Sequence, residues 1–175
     1  MRKRISALLC ALSLLIPLTA CGPKVEETAT TIFAMDTVMN LTLLHDGPKE
    51  EAEAALSGEV ARIYDFEGIF SATAEGSDVH KINAAGGKKV EVSPETADLL
   101  GQALALCDHT GGVLDVTAYP AVKAWGFTTG NYRVVPELER SALAARIGYE
   151  RVVLEDGFVT LQEGMELDLG AVAKG

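Results

Sequence analysis

One helix is bracketed at both ends in this sequence, and the residues beyond its C-terminus constrain the fold around it. Ser93-Pro94-Glu95 offers an N-cap hydroxyl, a proline at the first helical position and an acid in the first turn. Ala97, Leu100, Leu104 and Cys107 then share one face, and Gly111-Gly112 stops the helix just after His109. The chain leaves these glycines through Val113-Leu114-Asp115-Val116-Thr117, a single carboxylate in an apolar run. A buried charge must be paired or bound to something, so Asp115 is either expensive or useful. Pro120 and Trp125, the chain's only tryptophan, complete this central stretch, residues 107–127.

A chain of 175 residues, 48% hydrophobic and 23% charged, suits one globular domain with a proper core. Its net charge is −10, and Arg2, Lys3 and Arg4 lie in a segment expected to be removed, which leaves 12 basic against 25 acidic residues, or −13. With no cluster of Lys or Arg, such a surface argues against nucleic acid. The segment in question has a basic start and an apolar run over residues 5–18, too short for a comfortable membrane span of about 20 residues. It ends in Leu18-Thr19-Ala20-Cys21, which resembles a bacterial lipobox. That resemblance implies a signal over residues 1–20, lipidation at Cys21, and a membrane-anchored protein facing the periplasm or the cell exterior. A plain signal peptide cut near Ala20, or an uncleaved anchor, is the competing reading. Cys10 leaves with the signal, so Cys107 and Cys21 cannot found a disulfide framework, and Cys107 reads as core rather than nucleophile. Residues 21–29 form a short polar tether, and one domain over residues 30–175 comes after it.

Within that domain, residues 31–44 are rich in Thr, Val, Ile and Leu and read as one long strand or two short ones, with Asp36 marking a bend. Gly47-Pro48 breaks the chain. A helix is predicted from Lys49 to about Phe70, with Ala52, Leu56, Val60 and Ile63 as its apolar stripe. A loop and a short helix come next, capped by Ser77 with Asp78 and packed through Val79 and Ile82; residues 88–92 alternate like an edge strand. Residues 136–147 read as a further short helix. Glu155-Asp156-Gly157 signals a hairpin, residues 166–169 a last short strand, and residues 170–175 a strand-to-helix turn. Hairpins with interspersed helices point to α/β or α+β.

Common catalytic and metal templates are missing: there is no CxxC, HExxH, GxSxG, P-loop or dinucleotide fingerprint. His45, His80 and His109 share no ligand spacing, which argues against zinc; His80 reads as a surface side chain. Three acids stand out instead. Asp36, Asp115 and Asp168 are each flanked by apolar residues near an element end, and together they suggest a shared cleft, although any one alone reads as a satisfied turn. Gly170-Ala171-Val172-Ala173-Lys174 adds a helix start beside an ammonium, which suits a phosphate or pyrophosphate.

Six motifs in order resemble the ApbE family of flavin transferases: Ala34-Met35-Asp36-Thr37; Phe70-Ser71 with Ser77-Asp78-Val79 and Lys81-Ile82-Asn83; Val92-Ser93-Pro94-Glu95-Thr96; the 110–117 segment; Trp125-Gly126-Phe127; and Leu167-Asp168-Leu169-Gly170 through Gly175. The resemblance implies an ApbE-like α/β fold with mixed or antiparallel sheets. It also implies an exported enzyme that binds FAD with Mg²⁺ and transfers FMN to a threonine of an exported acceptor through a phosphoester. The acceptor it implies is a subunit of a redox membrane complex or an FMN-binding domain. By position, Met35, Thr73, Val113, Leu114, Asp115, Asp168 and Lys174 are the residues expected at FAD, and the Ala171 carbonyl is expected at Mg²⁺. Thr73 stands where many members carry a tyrosine, and Leu114 where many carry a phenylalanine. Family members continue past the Asp-Leu-Gly motif into a part that supplies side-chain metal ligands, so this chain is expected to be a piece of a longer protein, with little transfer activity by itself. An FAD-binding lipoprotein without transfer, or an enzyme that splits FAD to FMN and AMP, are the other functions weighed.

Overall fold

The computed structural model describes residues 24–174; the expected signal over residues 1–20 and the expected lipidation site Cys21 lie outside them. The described residues divide into two units, one of residues 24–32 and 38–60, the other of residues 33–37 and 61–174. Among the described residues no helix is long and apolar enough to cross a membrane.

Strands β1 (Glu26–Ala34) and β2 (Thr37–His45), most of whose residues belong to the first unit, pair as a two-stranded sheet. The run read as one strand or two is therefore two, and it begins inside the stretch read as a tether. Its partner strand explains the longer β1: Thr28 Oγ1 lies 3.0 Å from His45 Nε2, and the Thr31 hydroxyl donates to Asn40 Oδ1 at 2.8 Å. Such cross-strand pairs are invisible to a reading of the tether alone. Helix α1 (Lys49–Phe70) has the predicted bounds; Ala52 and Leu56 are buried, and Val60 and Ile63 are half-buried.

The second unit holds α2 (Asp78–Ala84), β3 (Val90–Glu91), α3 (Pro94–His109), α4 (Tyr119–Ala124), α5 (Glu137–Ala144), β4 (Val153–Glu155) and β5 (Phe158–Thr160). Its sheet is antiparallel in the order β3-β5-β4, with Val90 opposite Val159 and Leu154 opposite Val159 on the other side. The β4–β5 turn is Asp156-Gly157, both at positive φ, as a two-residue hairpin requires. The core gathers Val79, Ile82, Leu100, Cys107, Val116, Val159, Leu167 and Leu169. Helix α3 obeys its sequence signals. Ser93 Oγ accepts from the Thr96 amide, Pro94 occupies the first turn, and Gly111 turns the chain out at φ 63°. Cys107 is fully buried on this helix, and burial pushes its thiol pKa up.

Three expectations need correction. Residues 166–169 form no strand, because a side chain takes the place of a neighbouring strand: Asn83 donates Nδ2 to the Leu167 carbonyl and accepts from the Leu167 amide, both at 2.8 Å. The edge strand predicted over residues 88–92 shrinks to Val90–Glu91. Asp78 does not serve as a partner in the cap, since Ser77 alone accepts from the His80 amide. Its carboxylate instead ties α2 to α3, accepting from the Ser93 amide at 2.8 Å and the Thr96 hydroxyl at 2.9 Å. Burial raises the Asp78 pKa, but these bonds and Lys81 outweigh it and hold the carboxyl below its ordinary value.

Candidate functional site

A cavity of about 580 Å³ opens in the second unit, a size ordinary for a small-molecule site. Its walls come from four places: the Met35-Asp36 turn, residues 67–73 at the end of α1, Tyr119 with Phe127 and Thr128, and the 168–174 turn.

The Met35-Asp36 wall is a strained one. Both residues have positive φ, 50° and 56°, in a two-residue turn that usually takes Asn-Gly or Asp-Gly. Left-handed backbone costs a residue with a Cβ about 1–2 kcal/mol. The Met35 amide donates to Glu67 Oε1 at 2.8 Å, which gives the turn an anchor on α1. Next along that wall, Ser71 Oγ accepts from the amides of Thr73 and Ala74 at 3.2 and 3.0 Å, so a hydroxyl-centred turn sets Thr73 on the cavity.

The opposite wall is organised by backbone. The Asp168 amide donates to the Val116 carbonyl at 2.9 Å, and Asp168 Oδ1 accepts from the Gly170 amide at 3.0 Å. The amides of Val172 and Ala173 both donate to the Leu169 carbonyl, which closes one helical turn where a helix start was expected. Lys174 leaves that turn and donates Nζ to Thr37 Oγ1 at 2.9 Å. A hydroxyl does not neutralise an ammonium, and among the described residues no carboxylate pairs with Lys174.

Met35, Thr73, Asp168 and Lys174 thus share one cavity, together with Asp36. Val113, Leu114 and Asp115 do not line it. Val113 is 92% exposed, Leu114 packs against the core, and Asp115 is paired with backbone. Asp115 Oδ1 accepts from the Thr117 amide at 2.8 Å and its hydroxyl at 2.6 Å, and Oδ2 accepts from the Tyr149 amide at 3.1 Å. The Thr117 hydroxyl accepts in turn from the Gly148 amide at 2.8 Å. Two of the three singled-out acids therefore meet in a cleft, and the third fastens the chain after α3 to residues 148–149. Ala171 lies in the 170–174 turn but does not line the cavity. Among the described residues no three of His, Cys, Asp and Glu gather as a metal group, so a magnesium ion here would rest on one or two oxygens of this segment together with phosphate oxygens and water.

The cavity is also lined by Tyr119, Glu67 and Thr128, which no sequence motif marks, and by Phe127, which the sequence offers only as part of the Trp125-Gly126-Phe127 motif. Tyr119 had a signal: Pro120 sits in the first turn of α4, a helix start that went unread. Burial, then Asp168 and Glu166, push the Tyr119 pKa up. Glu67 had no local signal, because its partner Met35 is distant in sequence.

Fold and cavity describe a mixed α/β protein with a small-molecule cleft that carries both signs of charge. The chain belongs to the ApbE family, whose sequence pattern matches residues 35–175. It is 29% identical to the FAD:protein FMN transferase of Treponema pallidum (strain Nichols), over 98% of this chain and 50% of that protein. The FAD:protein FMN transferase of Haemophilus influenzae is 26% identical, over 100% of this chain and 53% of that protein. Among solved structures, the ApbE protein of Thermotoga maritima superposes with a TM-score of 0.79 at 29% identity, covering 86% of this chain and 49% of that one. The mixed fold with antiparallel sheets implied by the sequence motifs is the fold observed. The chain spans about half the length of these relatives.

Proposed function

We propose that this chain is part of an FAD:protein FMN transferase, which moves FMN from FAD to a threonine of an exported acceptor protein in a Mg²⁺-dependent reaction. The observation that carries this reading is the meeting of Lys174, Asp168, Met35 and Thr73 on one cavity, four positions at which the family motifs expect FAD. In the reaction the threonine oxygen attacks the FMN phosphorus, the pyrophosphate P–O bond breaks, AMP leaves, and the hydroxyl proton is released. The barrier lies in the charge on the phosphate oxygens and in alignment, so positioned cations and N–H groups supply most of what a protein can supply.

In this chain Lys174 is the cation. Its ammonium bonds a hydroxyl, Thr37 Oγ1, and can be redirected to a phosphate oxygen without breaking an ion pair. Asp168 holds the turn that carries Lys174 by accepting from the Gly170 amide. Tyr119, Phe127 and Met35 offer apolar surface for the flat parts of a dinucleotide. The Ala171 carbonyl would offer Mg²⁺ one oxygen ligand, and the ion would help neutralise the phosphate oxygens; the Mg²⁺ requirement is tested by chelation. The same reading puts the mature protein at the cell membrane through a lipid on Cys21, on the face where an exported acceptor is found. Cys21→Ser would then release the protein into the soluble fraction.

The direct test incubates the intact protein with FAD, Mg²⁺ and an exported FMN-domain acceptor, then runs a denaturing gel. A fluorescent acceptor band that disappears with EDTA is the expected result. Tight FAD retention without a band would replace transfer by binding, and AMP release without a labelled acceptor would replace it by FAD hydrolysis.

A further inference from the structure

We propose that Glu67 is a positioning residue of the cleft: its carboxylate holds the Met35-Asp36 turn in its left-handed form, and this hold matters most when ligand is bound. The ligand-dependent part of the role rests on reading the cavity as the FAD site. Beyond the β1–β2 pairing, side chains tie residues 35–37 at two points. Met35 donates its amide to Glu67 Oε1 at 2.8 Å, and Thr37 accepts from Lys174 Nζ at 2.9 Å. Met35 and Asp36 are the only adjacent pair of non-glycine residues at positive φ among the described residues, so their turn relaxes unless something fixes it. A ligand phosphate that recruits Lys174 removes the Thr37 tie. Beside the β1–β2 pairing, Glu67 is then the one remaining side-chain anchor of the turn, and it lines the same cavity. A carboxylate is well chosen for this, because a charged acceptor makes the stronger bond to an amide.

Two readouts in the intact protein test the role. Without FAD, hydrogen exchange of the Met35 amide should be slow in the wild type and roughly tenfold or more faster in Glu67→Ala. With FAD, titration followed by flavin fluorescence should show affinity about tenfold weaker in Glu67→Ala, with KM for FAD raised and kcat little changed. Glu67→Gln keeps an acceptor oxygen and should stay within about threefold of wild type. Asp36→Gly in the Glu67→Ala background should recover affinity, since glycine adopts the turn without a Cβ clash; a general folding defect would not be repaired this way. Wild-type affinity in Glu67→Ala, or a loss that neither Glu67→Gln nor Asp36→Gly relieves, would overturn the assignment. A wild type that protects Met35 but binds no FAD would sink the functional reading and, with it, the ligand-dependent part of this role.

Discussion

Asp115 and Lys174 carry their charges to opposite ends. Asp115 spends both oxygens on backbone and a hydroxyl, fixing Tyr149 and Thr117. Asp115→Ala leaves those donors unmatched, and each half-buried donor without a partner costs on the order of 1–3 kcal/mol. Urea unfolding of the variant should therefore show a clear loss of stability, with Asp115→Asn losing less because an amide oxygen still accepts. A variant as stable as the wild type that has lost only FAD affinity would return Asp115 to the ligand. Lys174→Ala should behave in the reverse sense, with stability close to wild type and FAD affinity down roughly ten- to hundredfold, the worth of bonds to a charged group. Calorimetric titration against FAD separates the two. The sequence identified both residues as worth asking about. It could not say that Asp115 answers to amides at 117 and 149, since the second lies beyond α4 and α5 in the chain.

Among the elements, those with both ends written in local chemistry were legible. Helix α3 has its serine cap, its proline and its glycine stop within its own span, and helix α1 starts just after its Gly47-Pro48 break. Elements defined by a distant partner were not: the Asn83 side chain stands in for a strand beside Leu167, and β1 gains its first residues from β2. The α2–α3 junction shows how such a distant partner makes stability depend on acid. Folded Asp78 has a pKa below its ordinary value, so the unfolded chain takes up the proton first. Its contribution is complete above the ordinary carboxylate range and is lost as pH falls through the folded value, below about pH 4. Thermal melts between pH 3 and pH 6, roughly bracketing that range, should show a steeper acid decline in the wild type than in Asp78→Asn. Parallel curves would assign the decline to other carboxylates.

At the scale of the molecule, the acidic balance, the mixed fold and the family were all present in the sequence, because they depend on composition and on motif order. The cavity was half legible. The 168–174 turn and Met35 announced themselves as motifs, while Tyr119 and Glu67 emerged only when the walls were assembled. Cys107 has a use that belongs to this scale. It is the only free thiol among the described residues, and it sits fully buried near the end of α3. A thiol in that position reacts with an alkylating reagent only when the surrounding core opens, and its raised pKa slows whatever reaction leaks through. Pulsed alkylation of Cys107, followed by peptide mass, should therefore be slow in native protein and complete in denaturant. The protein thus carries its own clock for how often the core of its second unit opens, with no label to be engineered.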